Sequence, residues 1–106
     1  MNNVNLAGRV VKDPETRGSV TTLIVATDRL KLKDGKPYVD EATGYTAKDT
    51  EFHKVTCFNG LARSGASRKK GDVVAITGSL HYSSWEDREG VTRYGCEIWA
   101  DKIDFF

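Results

Sequence analysis

The sequence has few of the features that cross-link a small fold or attach a protein to a membrane. Its two cysteines, Cys57 and Cys96, lie in apolar strand-like runs and not at paired spacings. We therefore expect neither a disulfide framework nor a four-ligand zinc site. We expect a reducing, cytoplasmic environment. No apolar run approaches the ~20 residues of a membrane helix. The N-terminus has no basic region followed by an apolar one, so we predict neither a membrane anchor nor a signal peptide.

The chain also lacks a strong excess of either charge. It has 16 Lys and Arg against 15 Asp and Glu, which gives a net charge of +1, far from the basic average of many duplex-DNA binders. Any affinity for nucleic acid would depend on where the cations lie and on aromatic contacts. With 106 residues, of which 39% are hydrophobic, the chain suits one domain with its own core, spanning residues 1–106.

Five strand-like segments, separated by turn signals, run along the chain. They cover residues 4–11, 20–27, 50–58, 73–85 and 92–106, and Gly8 in the first marks a bend or a close backbone approach. Residues 28–49 read as a long loop, and residues 61–70 as a short helix. This order predicts an all-β protein with one short helix between strands 3 and 4, a five-stranded antiparallel Greek-key barrel of the OB type. Such barrels bind oligonucleotides or oligosaccharides on the face of strands two and three.

The third strand carries an unusual face. Alternation separates its side chains into two sets, Phe52, Lys54, Thr56 and Phe58 on one face and His53, Val55 and Cys57 on the other. Two aromatic rings that bracket an ammonium and a hydroxyl suit a platform where unpaired bases stack and a phosphate meets the lysine. A register in which this set faces the core stays open at this point, although burying an unpaired ammonium is costly.

Catalytic constellations are not evident. His53 and His81 are the only histidines, and neither lies near a metal-like cluster or a Ser/Asp set. His53 and Cys57 share a strand face but would lie ~13 Å apart, beyond hydrogen-bond reach. The carboxylates form no paired cluster of the kind that a two-metal nuclease needs. We therefore expect a protein that is not an enzyme and holds no metal or other cofactor.

Several segments together resemble bacterial-type single-stranded DNA-binding proteins. They comprise residues 4–9, 12–17, 23–27, 50–55 with Phe58, 69–71, and 85–90 leading to Arg93 and Tyr94. The resemblance covers nearly the whole chain. It implies an OB barrel, usually assembled as a homotetramer, that binds single-stranded DNA without sequence preference during replication, repair or recombination. A location in the bacterial cytoplasm, with a host, phage or plasmid origin, would follow.

The resemblance also implies roles for individual residues. Phe52, Phe58 and Trp85 match stacking positions, and Lys54 and Lys70 match positions that contact phosphates. The basic residues near the helix end and in the long loop, with one on the first strand, are further candidates for phosphate contacts: Arg9, Lys31, Lys33, Arg68 and Lys69. For the loop lysines, a solvated surface and an arm that folds over DNA are equally favoured.

Two residues, His53 and Trp99, are assigned roles other than DNA binding. His53 falls at a position that the family uses near its subunit interface. Trp99 stands where the family typically has an aliphatic residue, so we expect a subunit contact or core packing for it. In the fifth strand, alternation places Tyr94, Cys96, Ile98 and Ala100 on one face.

The chain departs from the family pattern in four places, one of which is a helix that looks about two residues shorter than usual. Leu30-Lys31 replaces a tryptophan that often follows the second strand, and Ser83-Ser84 replaces a basic pair before the hairpin tryptophan. The sequence ends at residues 104–106 with no Gly/Pro/Gln-rich linker or acidic tip, so partners recruited by such a tail are not implied. Two alternatives stay open: a tail-less relative that acts through protein contacts in a primosome or plasmid system, and an OB module for RNA or oligosaccharide.

Overall fold

The structure, a computed structural model, describes residues 1–106 as eight strands and one helix. Their bounds are β1 Val4–Val10, β2 Glu15–Arg17, β3 Val20–Leu30, β4 Leu32–Lys33, β5 Lys36–Pro37, β6 Lys48–Phe58, α1 Gly60–Ala66, β7 Val73–Glu86 and β8 Thr92–Phe105. The five longer strands form a closed barrel in the order β1-β7-β8-β6-β3, and β3 pairs back onto β1. This confirms the predicted five-stranded barrel with one helix between its third and fourth strands. No helix is long and apolar enough to span a membrane.

One strand pairing differs from the predicted antiparallel sheet. β6 and β8 run parallel where they meet, at Val55 opposite Ile98 and Thr56 opposite Trp99. The other pairings of the barrel are antiparallel as predicted, and this one departs from them for a topological reason. A closed ring with an odd number of strands cannot alternate direction throughout, so at least one neighbouring pair has to be parallel.

Gly8 allows β1 to change partners. The strand pairs along most of its length with β7 and then contacts β3 through Arg9 opposite Ala26 and Val10 opposite Val25. A Cβ atom at Gly8 would collide with the carbonyl oxygen of Ala26. The bare Cα therefore permits the close backbone approach that the sequence predicts at this position.

The core is built from the inward side chains of all five barrel strands. Its ten residues are aliphatic apart from one thiol: Val10, Leu23, Val25, Val55, Cys57, Val74, Ile76, Ile98, Ala100 and Ile103. Because Val55 and Cys57 are fully buried, the opposite set of β6 side chains points out of the barrel. The register in which the β6 aromatics would form the core is thereby excluded.

Helix α1 covers one end of the barrel and is shorter than the predicted 61–70. The Thr21 hydroxyl donates a hydrogen bond to the Ala62 carbonyl at 2.8 Å. A Cβ at Gly65 would lie 3.3 Å from the Cys57 sulfur, so the glycine marks where the helix approaches the core most closely. The low helix propensity of this residue is offset by tertiary packing.

The prediction of a loop over residues 28–49 is wrong at both ends of this range, which belong to strands. β3 continues to Leu30, which pairs with Lys48 at the start of β6, and β4 and β5 form a small ribbon between them. Val39 and Thr46 add an isolated bridge. The ribbon is solvated on both faces, so it lacks the apolar alternation by which strands are recognised. Exposed β2, which pairs with β3, is missed for the same reason.

The other end of the sheet extends as a two-stranded arm. β7 and β8 pair as far as Glu86 opposite Thr92, whereas β8 meets β6 only at Ile98 and Trp99. Residues 80–97, called the hairpin arm below, therefore pair only with each other in the sheet, and side-chain contacts such as Glu97 with Lys54 join the base of the arm to the barrel.

Candidate nucleic-acid interface

The exposed face of β6 carries the predicted aromatic residues. Phe52 is 66% exposed and Phe58 37% exposed, and the Lys54 side chain between them is also accessible. Thr56 points the same way but is only 5% exposed, because it lies between its cross-strand neighbours Thr22 and Trp99. Three of the four side chains assigned to this face are thus open to a ligand.

Cross-strand register extends this face over the neighbouring strands. Thr56 is opposite Trp99, which is opposite Ser79, and alternation along each strand then fixes which side chains share the surface. We call this surface the outer face, and it comprises Val20, Thr22 and Ile24 of β3; Phe52, Lys54, Thr56 and Phe58 of β6; His81, Ser83 and Trp85 of β7; and Arg93, Glu97 and Trp99 of β8. It runs from the barrel wall to the end of the hairpin arm.

Three rings on adjoining strands form a cluster at the centre of the outer face. Trp99 packs edge-on against Phe58 with ring centroids 5.2 Å apart, and it stacks on His81 at 3.7 Å with an interplanar angle of 19°. Trp99 is 37% exposed and lies outside the core cluster, so of its two predicted roles core packing is wrong and the subunit contact stays a prediction. Neither Trp99 nor His81 was predicted as a binding residue from the sequence.

A carboxylate connects this cluster to Lys54. Glu97 accepts a hydrogen bond from the Trp99 indole at 2.6 Å, and its other oxygen lies 3.3 Å from Lys54 Nζ. Partial burial raises the pKa of Glu97, but the hydrogen bonds from Trp99 and Lys54 and the lysine charge outweigh it, so the pKa lies below its usual value. Glu97 is therefore ionised at neutral pH and partly neutralises Lys54.

Trp85 lies on the hairpin arm, where its ring covers Gly95. A Cβ atom at Gly95 would approach the Trp85 ring to 3.0 Å, so the glycine provides the space that the indole occupies. The ring is 52% exposed on its other side. It is held against the arm and still available to a ligand.

Asp87 organises the tip of the arm. Its carboxylate accepts hydrogen bonds from the backbone N–H groups of Glu89 and Val91 at 2.9 and 3.0 Å, and from Arg93 Nε at 2.9 Å. The backbone N–H of Val91, followed by the Arg93 side chain, lowers the pKa of Asp87 below its usual value. The tip, and with it the end of the arm beside Trp85, is thereby ordered by one carboxylate.

Some of the predicted phosphate contacts lie near the aromatic residues. Arg9 is opposite Ala26, which is opposite Phe52, so the arginine and the ring occupy one row of the sheet. Arg9 and Lys70 line the same surface depression. Lys69 and Lys70 follow α1, where Asp72 and Asp13 accept hydrogen bonds from their backbone N–H groups and leave both side chains free. These lysines and Arg9 form a basic edge next to Phe52.

Unlike Lys69 and Lys70, Arg68 is held by side-chain contacts within the protein. Its guanidinium lies 3.5 Å from the centre of the Phe105 ring and 3.8 Å from an Asp72 oxygen, and its side chain is only 17% exposed. The residue ties the segment after α1 to the end of β8 through a cation–π contact. This packing does not favour the predicted phosphate contact.

The two loop lysines follow the end of β3, beyond the row that pairs Ala26 with Phe52. Lys31 is 3.5 Å from Asp49 at the base of the β4–β5 ribbon, and Lys33 is exposed on β4. Their role in phosphate binding stays a prediction.

His53 and Cys57 lie on the inward side of β6. The Thr27 hydroxyl and His53 Nε2 share a hydrogen bond at 2.7 Å, and the subunit contact expected for His53 stays a prediction. Burial raises the pKa of the Cys57 thiol to about 11, which suits a core residue and not a nucleophile. No group of three or more His, Cys, Asp and Glu side chains is arranged to hold a metal ion.

The closed five-stranded barrel with its exposed aromatic face has the architecture of OB-fold binding modules. The chain belongs to the single-strand binding protein family, whose sequence profile matches residues 1–106. It is 35% identical over 112 residues to the single-stranded DNA-binding protein of Clostridium tetani (strain Massachusetts / E88), covering 99% of this chain and 70% of that one. It is 34% identical over 110 residues to single-stranded DNA-binding protein 1 of Xylella fastidiosa (strain 9a5c), covering 97% and 75%.

A solved structure described as the Plasmodium falciparum SSB complex with ssDNA shares the fold. The TM-score is 0.74 at 24% sequence identity, with 100% of this chain and 95% of the other covered. This likeness confirms the fold, and the profile match and the two relatives confirm the family resemblance seen in the sequence.

Proposed function

We propose that this chain binds single-stranded DNA with little sequence preference and protects strands opened in replication, repair or recombination. The observation that carries the proposal is the outer face, where Phe52, Phe58 and Trp85 are all exposed on one continuous surface. The family membership of the chain supports it.

Stacking on these rings explains why sequence would matter little. Every base has a π-face, and stacking contributes ~1–3 kcal/mol per base. Three rings can therefore supply several kcal/mol without reading base edges. Phe52 and Phe58 are six residues apart on one strand, or roughly 20 Å, which leaves room for several nucleotides between them.

Binding to oligonucleotides tests the proposal. The fluorescence anisotropy of a labelled dT oligomer should rise on titration with the protein at low salt, and a duplex of equal length should compete poorly. Equal affinity for both, or no binding to either, would contradict the proposal. Stronger competition by poly(U) or by glycans would assign the face to one of those ligands instead.

The hairpin arm offers a matched pair of variants. Trp85 and Tyr94 are both exposed, but alternation puts them on opposite faces of the arm. Trp85→Ala should weaken dT binding roughly tenfold, whereas Tyr94→Ala should leave it unchanged. Equal losses would show that the outer face is not the binding surface.

We also propose that the chain assembles as a homotetramer and acts in the cytoplasm without enzymatic activity. The family resemblance supports the assembly. So does the free edge of β1, since residues 4–8 pair only with β7 and leave hydrogen-bonding groups open to another strand. Sedimentation should show a tetramer, and a monomer at micromolar concentration would contradict it.

A further inference from the structure

The three predicted stacking residues leave a gap on the outer face. Trp85 is opposite Arg93 on β8, and Trp99 lies six residues further along the same strand, next to Phe58. At about 3.3 Å per residue, Trp85 and the Phe58 region are roughly 20 Å apart along the strand. A strand of bases that passes from Phe58 to Trp85 must cross the surface that Trp99 and His81 occupy.

Trp99 is held in a fixed orientation on that surface. His81 stacks on the indole at 3.7 Å, Phe58 meets it edge-on, and Glu97 accepts its N–H at 2.6 Å. A side chain fixed before binding loses little conformational entropy when a ligand is bound. More than a third of the indole surface nevertheless remains exposed, as for Phe58.

We propose that the Trp99–His81 pair is a fourth stacking platform, which takes a base between those on Phe58 and Trp85. The proposal rests on the proposed binding of single-stranded DNA. It assigns Trp99 to the ligand, where the sequence favours a subunit contact or core packing. In this chain the platform would compensate for the tryptophan that is missing after the second strand.

Single-tryptophan variants test the platform directly. The chain has two tryptophans, so Trp85→Phe leaves Trp99 as the sole indole fluorophore. Binding is followed independently by the anisotropy of a labelled dT oligomer. We expect the Trp99 emission of this variant to be quenched as the oligomer saturates it. Saturation without any change in Trp99 emission would overturn the platform, whereas a wild-type chain that does not bind would refute the proposed function itself.

Affinity measurements provide the second readout. Trp99→Leu should lower dT affinity about tenfold, and Trp99→Phe should restore most of it because a ring is kept. Tyr94→Leu, on the other face of the arm, serves as the control and should bind as the wild type does. Thermal melting and sedimentation of each variant accompany the titration. A loss of affinity that appears only together with a change of oligomeric state would assign Trp99 to a subunit contact and overturn the proposal.

Discussion

Replacing Glu97 by glutamine should strengthen DNA binding. The carboxylate lies 3.3 Å from Lys54 Nζ and partly neutralises the cation on the outer face. Glutamine keeps an oxygen that can accept the Trp99 N–H, so the indole stays in place. The Lys54 side chain is 53% exposed and the Glu97 side chain 20% exposed, so this surface ion pair should contribute at most about 1 kcal/mol to stability and the fold should change little.

The magnitude follows from charge alone. A phosphate bound to Lys54 would lie about 6 Å from the carboxylate, where repulsion in a water-like dielectric is about 0.7 kcal/mol. Its removal corresponds to about threefold higher affinity. A lysine freed for a phosphate also releases one more counterion, so the slope of log K against log salt should steepen by about 0.7 for a single strand.

Anisotropy titrations of labelled dT at several salt concentrations measure both quantities. Glu89→Gln is the matched control, since it removes the same charge from the arm tip without freeing Lys54. An unchanged affinity and slope in Glu97→Gln would show that Glu97 does not weaken the contact of Lys54 with DNA. An equal change in both variants would show that only net charge matters.

Three further predictions concern the fold. Because the folded-state pKa of Asp87 is lowered, the stability it contributes is present above its unfolded pKa of about 3.9 and is lost as the pH falls through the folded value. Thermal unfolding of wild type and Asp87→Asn should therefore converge on acidification, and a gap that persists at low pH would be inconsistent with this. A thiol reagent should modify exposed Cys96 in the native protein and buried Cys57 only after unfolding, so equal rates would be contrary evidence. Gly8→Ala should lower the free energy of unfolding by about 1–3 kcal/mol through backbone crowding, whereas Gly60→Ala, in open space on the helix, should be neutral or slightly stabilising. Similar melting curves for the two glycine variants would contradict this.

Local pattern predicts the barrel strands well because most of their inward residues are apolar and alternate with exposed ones. Val55 and Cys57 identify the buried side of β6, and the ring-bearing side follows from them. The β4–β5 ribbon gives no such signal, because both of its faces are solvated. β4 and β5 pair with each other where the chain connects β3 to β6, and no hydrophobic stripe marks this pairing.

The remaining parts of the site depend on contacts between distant segments. In β8, Ile98 and Ala100 are buried and Trp99 lies on the opposite side. Its neighbours on that side are decided by the parallel register between β6 and β8, which the barrel closure sets. The contact of Arg68 with Phe105 also joins segments that are distant in the sequence. The basic cluster in the sequence therefore predicts more free cationic side chains near α1 than the structure has.

Crosslinking to an oligomer that contains 5-iododeoxyuridine tests whether bases contact the rings of the outer face. Irradiation of the complex, followed by peptide mapping, identifies the rings that contact bases. We predict adducts on Phe52, Phe58 and Trp85. Adducts confined to Tyr82 and Tyr94, which are exposed on the opposite face of the hairpin arm, would contradict the account.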